Sequence, residues 1–146
     1  YNTDYHGFKK SIQPLLKDHH KKALILGTGG ASKAIAYALR SLKIEYDFVS
    51  RTADEFQYKY EELDASIFEE YTVIINTTPV GTHPNVNDCP NLDYSLFTKK
   101  HIAYDLIYNP EETAFLRKAK AQGAVTKNGY EMLVLQAEKA WKIWNE

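Results

Sequence analysis

A short apolar run that leads into a cluster of glycines is the feature that most constrains the fold of this chain. Residues 23–26 are apolar, and the next eight read Gly-Thr-Gly-Gly-Ala-Ser-Lys-Ala before a helical pattern begins. Gly27 suits the tight turn after a buried parallel strand, and Gly29 leaves free the space that a Cβ would take from a phosphate. Gly30 and Ala31 open a helix whose N-terminus favours an anion. The pattern predicts a dinucleotide-phosphate loop, with an ordinary strand-to-helix turn as the alternative.

The composition narrows the functional classes. The chain has 146 residues, a formal net charge of −1 and one cysteine, Cys89. This length fits one domain, and dispersed Lys and Arg residues give no indication of a nucleic-acid partner. No apolar stretch approaches the ~20 residues of a membrane span, so no membrane contact is expected. A single cysteine excludes an internal disulfide, has no neighbour at metal-ligand spacing and fits a cytoplasmic location.

Apolar runs alternate with helical patterns, which predicts an α/β fold: a Rossmann-like, doubly wound parallel sheet in three α/β/α layers. The predicted strands are 23–26, 46–49, 73–76, 102–107 and a short one near 124–125. The predicted helices are one that ends near Pro14, then 30–42, one from Asn109 to Gly123 with a capping box at Glu112, and 130–144. Residues 79–92, rich in Pro, Asn and Gly, are predicted to form a long loop at a cleft.

The residues after the second predicted strand indicate the cofactor. An NAD-binding fold of this type places Asp or Glu about 20 residues past the glycines, where it binds the ribose 2′-hydroxyl. Here Ser50, Arg51 and Thr52 follow the strand, with no acidic residue before Ala53. A guanidinium pairs with a 2′-phosphate, which a carboxylate would repel. Arg51 therefore favours NADP(H) over NAD(H), with a surface arginine as the alternative.

Polar residues end the third and fourth predicted strands, at the edge where open parallel sheets bind ligands. Asn76 and Thr77 are predicted either to bond a cofactor ribose or only to form a turn. Asp105 is expected to be structural and to find hydrogen-bond donors, because a buried carboxylate needs them. Tyr108 is predicted either to point into the crevice or to serve as a core aromatic.

Two further polar side chains are candidates for substrate binding. Gln136 lies on the apolar face of the last helix, so its amide needs a partner, either a ligand or nearby backbone. Asp4 comes at the start of the first helix, where Thr3 or Asp4 is a candidate N-cap. In the functional alternative, the Asp4 carboxylate accepts hydrogen bonds from substrate or helps to move a proton.

Six motifs, in the same order along the chain, resemble the shikimate dehydrogenase family, specifically its C-terminal NADP-binding part. They are Asn2-Thr3-Asp4 with Gly7-Phe8, the glycine loop at 27–34, Ser50-Arg51-Thr52, the turn from Asn76 to Gly81, the stretch from Asp105 to Thr113, and Asn128-Gly129 with Met132-Leu133 and Gln136. Each motif alone is unspecific, whereas six in the family's order are specific.

The resemblance implies reversible, NADPH-dependent reduction of 3-dehydroshikimate to shikimate, in aromatic amino-acid (chorismate) biosynthesis. It implies that Asp4 handles the substrate proton together with a lysine, and that Tyr108 and Gln136 contact the substrate. Leu106 and Gly129 match positions that line the nicotinamide. The full set of expected cofactor-binding residues is Gly27, Thr28, Gly29, Gly30, Ala31, Ser50, Arg51, Thr52, Thr77, Leu106 and Gly129.

The chain also departs from the family's pattern. Ser50 replaces the usual Asn, and Thr82 stands where Met is common. Glu55 occupies a position where a second basic residue often binds the 2′-phosphate, with Lys59 as a candidate replacement. Because of these departures, the alternative hypothesis is a quinate/shikimate dehydrogenase relative that uses NAD(H).

The family's N-terminal substrate domain, with its catalytic lysine and serine pair, has no counterpart in this sequence. The start at Tyr1 without a Met suggests a cut inside a longer protein. We therefore expect residues 1–146 to be the NADP-binding domain, with residues 1–20 as an interdomain helix and linker and the substrate domain as its missing partner. Without the lysine, the chain as given is expected to be catalytically inactive or nearly so. A non-catalytic nucleotide-binding module is the remaining alternative.

Overall fold

A computed structural model describes residues 3–52, 54 and 56–145 of the chain. The helices are α1 (Thr3–Ile12), α2 (Gly30–Ser41), α3 (Ala65–Glu70), α4 (Ala114–Ala121) and α5 (Tyr130–Trp144). The strands are β1 (Lys22–Leu26), β2 (Glu45–Val49), β3 (Val73–Asn76), β4 (Ile102–Asp105) and β5 (Val125–Lys127). Short 3₁₀ turns lie at Gln13–Leu15, Tyr60–Glu62 and Tyr94–Leu96.

The strands form one parallel sheet in the order β2-β1-β3-β4-β5. Because β2 and β3 lie on opposite sides of β1, the chain changes direction there, which creates a crevice at the carboxyl ends of β1 and β3. Leu26 pairs with Val49 and Asn76, and Asn76 pairs with Asp105. Four strands therefore end level with one another, and the segments that follow them share one edge of the sheet.

Alternate residues of the three central strands, β1, β3 and β4, face two separate apolar cores. Ile25, Ile75 and Tyr104 are buried on the face that packs against α1, α2 and α5. Leu24 and Ile74 are buried on the opposite face, with the aromatic side chains of α3 and α4. A parallel sheet covered on both faces confirms the predicted three-layer α/β/α fold.

Helix α1 ends where the sequence predicts. The 3₁₀ turn that follows it contains Pro14, which has no amide to continue the helical hydrogen bonds. Phe8 and Ile12 are fully buried, and the Phe8 ring packs edge-on against Tyr104 with centroids 4.9 Å apart. Residues from the predicted linker segment thus belong to the core of this domain.

The predicted start of the third long helix at Asn109 was wrong. Helix α4 begins at Ala114, and Thr113 is its N-cap, with the hydroxyl accepting a hydrogen bond from the Leu116 amide at 3.2 Å. The predicted strand 102–107 was also two residues too long, because the Ile107 amide bonds the Asp105 side chain at 3.1 Å instead of continuing the sheet. Strand β5 begins one residue later than predicted.

Other boundaries match or extend the predictions. Gly123 has φ +94° and ends α4, as predicted, because this backbone conformation favours glycine. Helix α3 was not predicted, although Asp64 supplies a clear N-cap by accepting from the Ile67 amide at 3.0 Å. No helix or strand interrupts residues 79–92, so the predicted long loop is confirmed.

Helix α5 spans the predicted residues and leaves apolar side chains uncovered. Met132 is buried, whereas Trp141 and Trp144 are 69% and 88% exposed. Leu133 lies between these cases at 37% exposure. Among the described residues, none of the helices has both the length and the hydropathy needed to cross a bilayer.

Candidate functional site

The turn between β1 and α2 requires glycine at its first position. Gly27 has φ +106°, and a Cβ there would lie 2.8 Å from Thr77 Oγ1 and 2.9 Å from Thr78 Cγ2. Its amide donates to the Val49 carbonyl at 2.9 Å, which draws the turn toward the end of β2. Gly27 therefore adopts the tight turn that the sequence pattern predicts.

The other two glycines face open space. A Cβ built on Gly29 or Gly30 meets no heavy atom within 4 Å. The buried Ser32 tightens the loop beneath them, since its hydroxyl and its amide both bond the Gly29 carbonyl, at 2.5 and 3.1 Å. The first amides of a helix have no partner within the helix. A small-residue turn, clear space and a helix N-terminus fit the phosphate groups of a dinucleotide.

The segment after β2 lies at the same edge of the sheet as the glycine turn. The Ser50 amide bonds the Tyr58 carbonyl at 3.0 Å, and Ser50 Oγ accepts from the Thr52 amide at 3.3 Å. Arg51, between these two residues in the chain, is exposed. It lies two residues past Val49, whose carbonyl accepts from the Gly27 amide. Lys59, the candidate second cation, is also exposed. Glu55, the departure from the family's pattern, lies outside the described residues.

A groove of about 440 Å³ opens at the ends of β3 and β4. Its lining residues are Ala31, Thr77, Thr78, Pro79, Thr82, Leu106, Ile107, Tyr108 and Asn109. Tyr108 is 46% exposed, so it is a groove residue rather than a core aromatic. The groove brings together four of the residues that the sequence singled out: Ala31, Thr77, Leu106 and Tyr108.

The side chains at the end of β3 serve the turn. The Thr77 amide and hydroxyl both donate to the Leu26 carbonyl, at 3.0 and 2.6 Å. Asn76 Oδ1 accepts from the amide and the hydroxyl of Thr78, at 3.1 and 2.7 Å. The turn-forming alternative therefore accounts for both side chains, and Thr77 also contributes to the groove wall.

Asp105 is fully buried at the end of β4. It accepts hydrogen bonds from Thr113, Asn76 and the Ile107 amide, as expected for a buried carboxylate. Burial raises the pKa of this carboxyl to about 6, and those three hydrogen bonds oppose the rise. The sequence pattern did not indicate that Thr113, eight residues along the chain, would donate to Asp105.

Gly129 and Leu106 are in close backbone contact. A Cβ on Gly129 would lie 1.9 Å from the Leu106 carbonyl oxygen, and the Gly129 amide donates to the Ile107 carbonyl at 3.2 Å. Only glycine fits this position. The structure thus places together the two residues that match the family's nicotinamide-lining positions.

Asp4 and Gln136 are joined by a hydrogen bond from Nε2 of the amide to Oδ1 of the carboxylate. The partner of Gln136 is thus a side chain, not the nearby backbone of the alternative interpretation. The N-cap prediction for Thr3 or Asp4 was wrong, because α1 already begins at Thr3. Asn2, the first residue of the same motif, lies outside the described residues.

A second groove, of about 610 Å³, lies on the other side of the glycine turn. It is lined by Tyr5, His6, Gly30, Lys33, Ala34, Tyr37 and Lys139. Burial lowers the pKa of His6, and the charges of Lys139 and Lys10 lower it further. No sequence motif predicted this groove, although Gly30, Lys33 and Tyr37 have the spacing of one helical face.

A glycine turn at the switch point of a parallel sheet, beside a groove at its carboxyl edge, defines the class of Rossmann-like dinucleotide-binding domains. No family model matches the chain. A protein of Caldanaerobacter subterraneus subsp. tengcongensis named shikimate dehydrogenase (NADP(+)) is 39% identical over 162 aligned residues. That alignment covers 99% of this chain and 57% of the relative.

Solved structures agree with this relationship. The shikimate dehydrogenase of Aquifex aeolicus superposes with a TM-score of 0.84 at 36% identity, over 99% of this chain and 56% of the other. The enzyme of Thermus thermophilus, solved with NADP(H) and shikimate, gives 0.81 at 34% identity, over 98% and 56%. The chain is therefore a homologue of the shikimate dehydrogenases, which confirms the resemblance seen in its motifs. It spans about half the length of the relatives that it matches.

Proposed function

We propose that this chain is the NADP(H)-binding domain of a shikimate dehydrogenase, which reversibly reduces 3-dehydroshikimate to shikimate. The observation that carries the proposal is a convergence at one sheet edge. The glycine turn, Arg51 after β2 and the groove with Tyr108 all follow strands that end level. A cytoplasmic location fits the single free cysteine, Cys89.

Each segment of the edge has a role in holding the cofactor. NADP(H), when bound, supplies or accepts the hydride. Gly29 and Gly30 leave space that would accept its pyrophosphate at the start of α2, and Arg51 would pair with its 2′-phosphate. Gly129 and Leu106, which are in close backbone contact, would hold its nicotinamide end. The proposed cofactor-binding set is completed by Gly27, Thr28, Ala31, Ser50, Thr52 and Thr77.

The substrate-handling residues are proposed to be Asp4, Gln136 and Tyr108. The amide of Gln136 holds the Asp4 carboxylate in one orientation. From there the carboxylate binds a substrate hydroxyl and moves its proton together with a lysine from the substrate domain. Gln136 and Tyr108 hydrogen-bond further oxygens of the substrate. Because the lysine has no counterpart here, the chain alone is proposed to bind cofactor without turnover, with α1 leading to the substrate domain.

Cofactor binding by the purified chain is the first test. Isothermal titration calorimetry with NADPH and with NADH should give the tighter dissociation constant for NADPH. Tighter NADH binding would favour an NAD-using quinate/shikimate relative. No binding of either cofactor would contradict the proposal.

A chimera tests the reaction itself. The part of the Caldanaerobacter relative that this chain does not match is fused to this chain, and shikimate oxidation is followed by NADPH absorbance. We expect activity from the chimera and none above a buffer blank from the chain alone. An inactive chimera that still binds NADPH would favour a non-catalytic nucleotide-binding module. Turnover by the chain alone would contradict its proposed inactivity.

A further inference from the structure

One buried carboxylate connects three separate segments beneath the groove at the ends of β3 and β4. Asp105 Oδ1 accepts from Asn76 Nδ2 at 3.2 Å and from the Ile107 amide at 3.1 Å. Asp105 Oδ2 accepts from the Thr113 hydroxyl at 2.7 Å. The end of β3, the loop after β4 and the residue before α4 are thus held by the same side chain.

The hydrogen bonds continue from Asp105 into the groove wall. Asn76, which donates to Asp105, accepts in turn from the amide and the hydroxyl of Thr78. On the other side, Thr113 donates to Asp105 while it accepts from the Leu116 amide. Thr78 lines the groove directly, as do Leu106 and Ile107. Asp105 therefore connects the lining residues after β3 with those after β4, although it does not line the groove itself.

A charged side chain at this buried position lowers the stability of the fold. Asp105 has no solvent exposure, and burial raises its pKa to about 6, so ionisation at neutral pH costs stability. A carboxylate nevertheless offers two oxygens that only accept, which matches three donors from three segments. Tyr94 is a titratable side chain whose pKa is affected by the charge of Asp105 and by its neighbour Cys89. Burial raises the pKa of Tyr94 far above neutral pH. Tyr94 therefore stays neutral when Asp105 ionises.

We propose that Asp105 is a positioning residue for the cofactor: its ionised carboxylate holds the ends of β3 and β4 in the arrangement that accepts the nicotinamide end of NADP(H). This inference rests on the proposed function. Protonation converts one carboxylate oxygen into a hydroxyl, which accepts hydrogen bonds only weakly. The bond that this oxygen accepts, from Thr113 or from Asn76, is then weakened, and the segment at Thr78 is held less firmly. NADPH affinity should then follow the ionised fraction of Asp105.

The test compares NADPH dissociation constants of the wild-type chain and of Asp105→Asn by calorimetry between pH 5 and pH 8. One pH unit below its pKa, about a tenth of the carboxyl groups stay ionised. If the neutral form binds about tenfold more weakly, wild-type affinity should fall about fivefold from pH 7 to pH 5. Asp105→Asn, which mimics the neutral form in size and shape, should bind about tenfold more weakly than wild type at pH 7.5. The cofactor's own 2′-phosphate also titrates near pH 6. Because both proteins meet the same cofactor, the difference between their profiles isolates Asp105.

Two controls separate positioning from general stability. Asp47→Asn removes another strand carboxylate. Asp47 lies on the edge strand β2, away from the groove, and accepts a hydrogen bond from the Tyr71 hydroxyl. It should leave the NADPH affinity and its pH profile unchanged. If Asp105→Asn does not fold, Thr113→Val removes the bond to Oδ2, and Thr113→Ser keeps it. The valine variant should weaken binding, and the serine variant should restore it.

The outcomes distinguish the inference from the function on which it depends. A wild-type chain that binds no NADPH at any pH overturns both. A wild-type chain that binds, together with an Asp105→Asn variant of equal affinity and identical pH profile, overturns the inference and leaves the proposed function intact. A weaker variant that has lost the extra pH dependence supports both.

Discussion

Gln136 on α5 donates a hydrogen bond through its amide to the carboxylate of Asp4 on α1, across 132 positions of sequence. The contact depends on a close approach of the two helices at Gly7, where a Cβ would lie 2.5 Å from the Met132 carbonyl oxygen. The amide orients the carboxylate at the start of α1, next to the groove that Tyr5 and His6 line. This pair is the proposed meeting point of the cofactor domain and the substrate.

The Asp4–Gln136 pair should affect turnover without affecting cofactor binding. In the chimera, Asp4→Asn is expected to lower kcat for shikimate oxidation by about 100-fold or more, since proton transfer contributes about 10²–10⁴ to rates. Gln136→Leu should lower kcat less and raise the KM for shikimate. Steady-state kinetics and NADPH calorimetry check both statements. Glu138→Gln, on the exposed side of α5, is the control. A weaker NADPH affinity in Asp4→Asn would contradict the assignment.

The glycines of the turn should separate folding from binding. Gly27→Ala is expected to lower the free energy of unfolding by about 1–3 kcal/mol, because of its positive φ and the contacts at Thr77 and Thr78. Gly29→Ala should leave the stability within about 0.5 kcal/mol, because its Cβ meets no protein atom. The same Cβ should weaken NADPH binding at least tenfold by filling phosphate space. Urea denaturation and calorimetry measure the two effects. If Gly29→Ala and wild type bind NADPH with equal affinity, the glycine turn is not part of the cofactor site.

Arg51 should decide the preference for the 2′-phosphate. Arg51→Gln is expected to raise the dissociation constant for NADPH by roughly 10- to 100-fold, as for the loss of a charge-assisted bond of about 1.5–3 kcal/mol. The dissociation constant for NADH should not change, because NADH has no 2′-phosphate. Arg117→Gln, an exposed arginine on α4, controls for net charge. A variant that loses both cofactors equally would assign Arg51 a structural role.

The buried histidine His101 should make the fold sensitive to acid. Its Nδ1 accepts from the Thr98 amide at 3.0 Å, and its Nε2 bonds the Phe68 carbonyl at 2.7 Å, so the neutral ring fits the site. Burial lowers its pKa, although the backbone hydrogen bonds oppose this shift. The unfolded chain therefore binds the proton more readily, and the free energy of unfolding falls as pH drops below the unfolded value of about 6.5.

Urea denaturation at several pH values between 5 and 8 measures this dependence. His101→Gln should show a smaller loss of stability from pH 7 to pH 5 than wild type, whatever its stability at pH 8. His83→Gln, in the exposed part of the long loop, should lose stability in parallel with wild type. Parallel curves for His101→Gln and wild type would show that His101 does not titrate in this range.

Features that depend on local chemistry could be predicted from the amino-acid sequence. Gly27 marks a turn that only glycine tolerates, Pro14 ends α1 for lack of an amide, and the apolar spacing of residues 130–144 defines α5. These signals lie within a few residues of the structure that they specify. The order of six such motifs was enough to indicate the family.

Contacts between side chains that are distant in the sequence could not be predicted in this way and follow from the packing of the fold. Helix α4 begins at Ala114 rather than at Asn109. Thr113 caps it and also donates to Asp105 at the end of the preceding strand, β4. Gln136 donates a hydrogen bond to Asp4 rather than to nearby backbone. Tyr108 lines the groove and is not part of the apolar core. A side chain's partner depends on which elements pack together and how closely. That is a property of the assembled sheet and helices, and periodicity along the chain does not contain it.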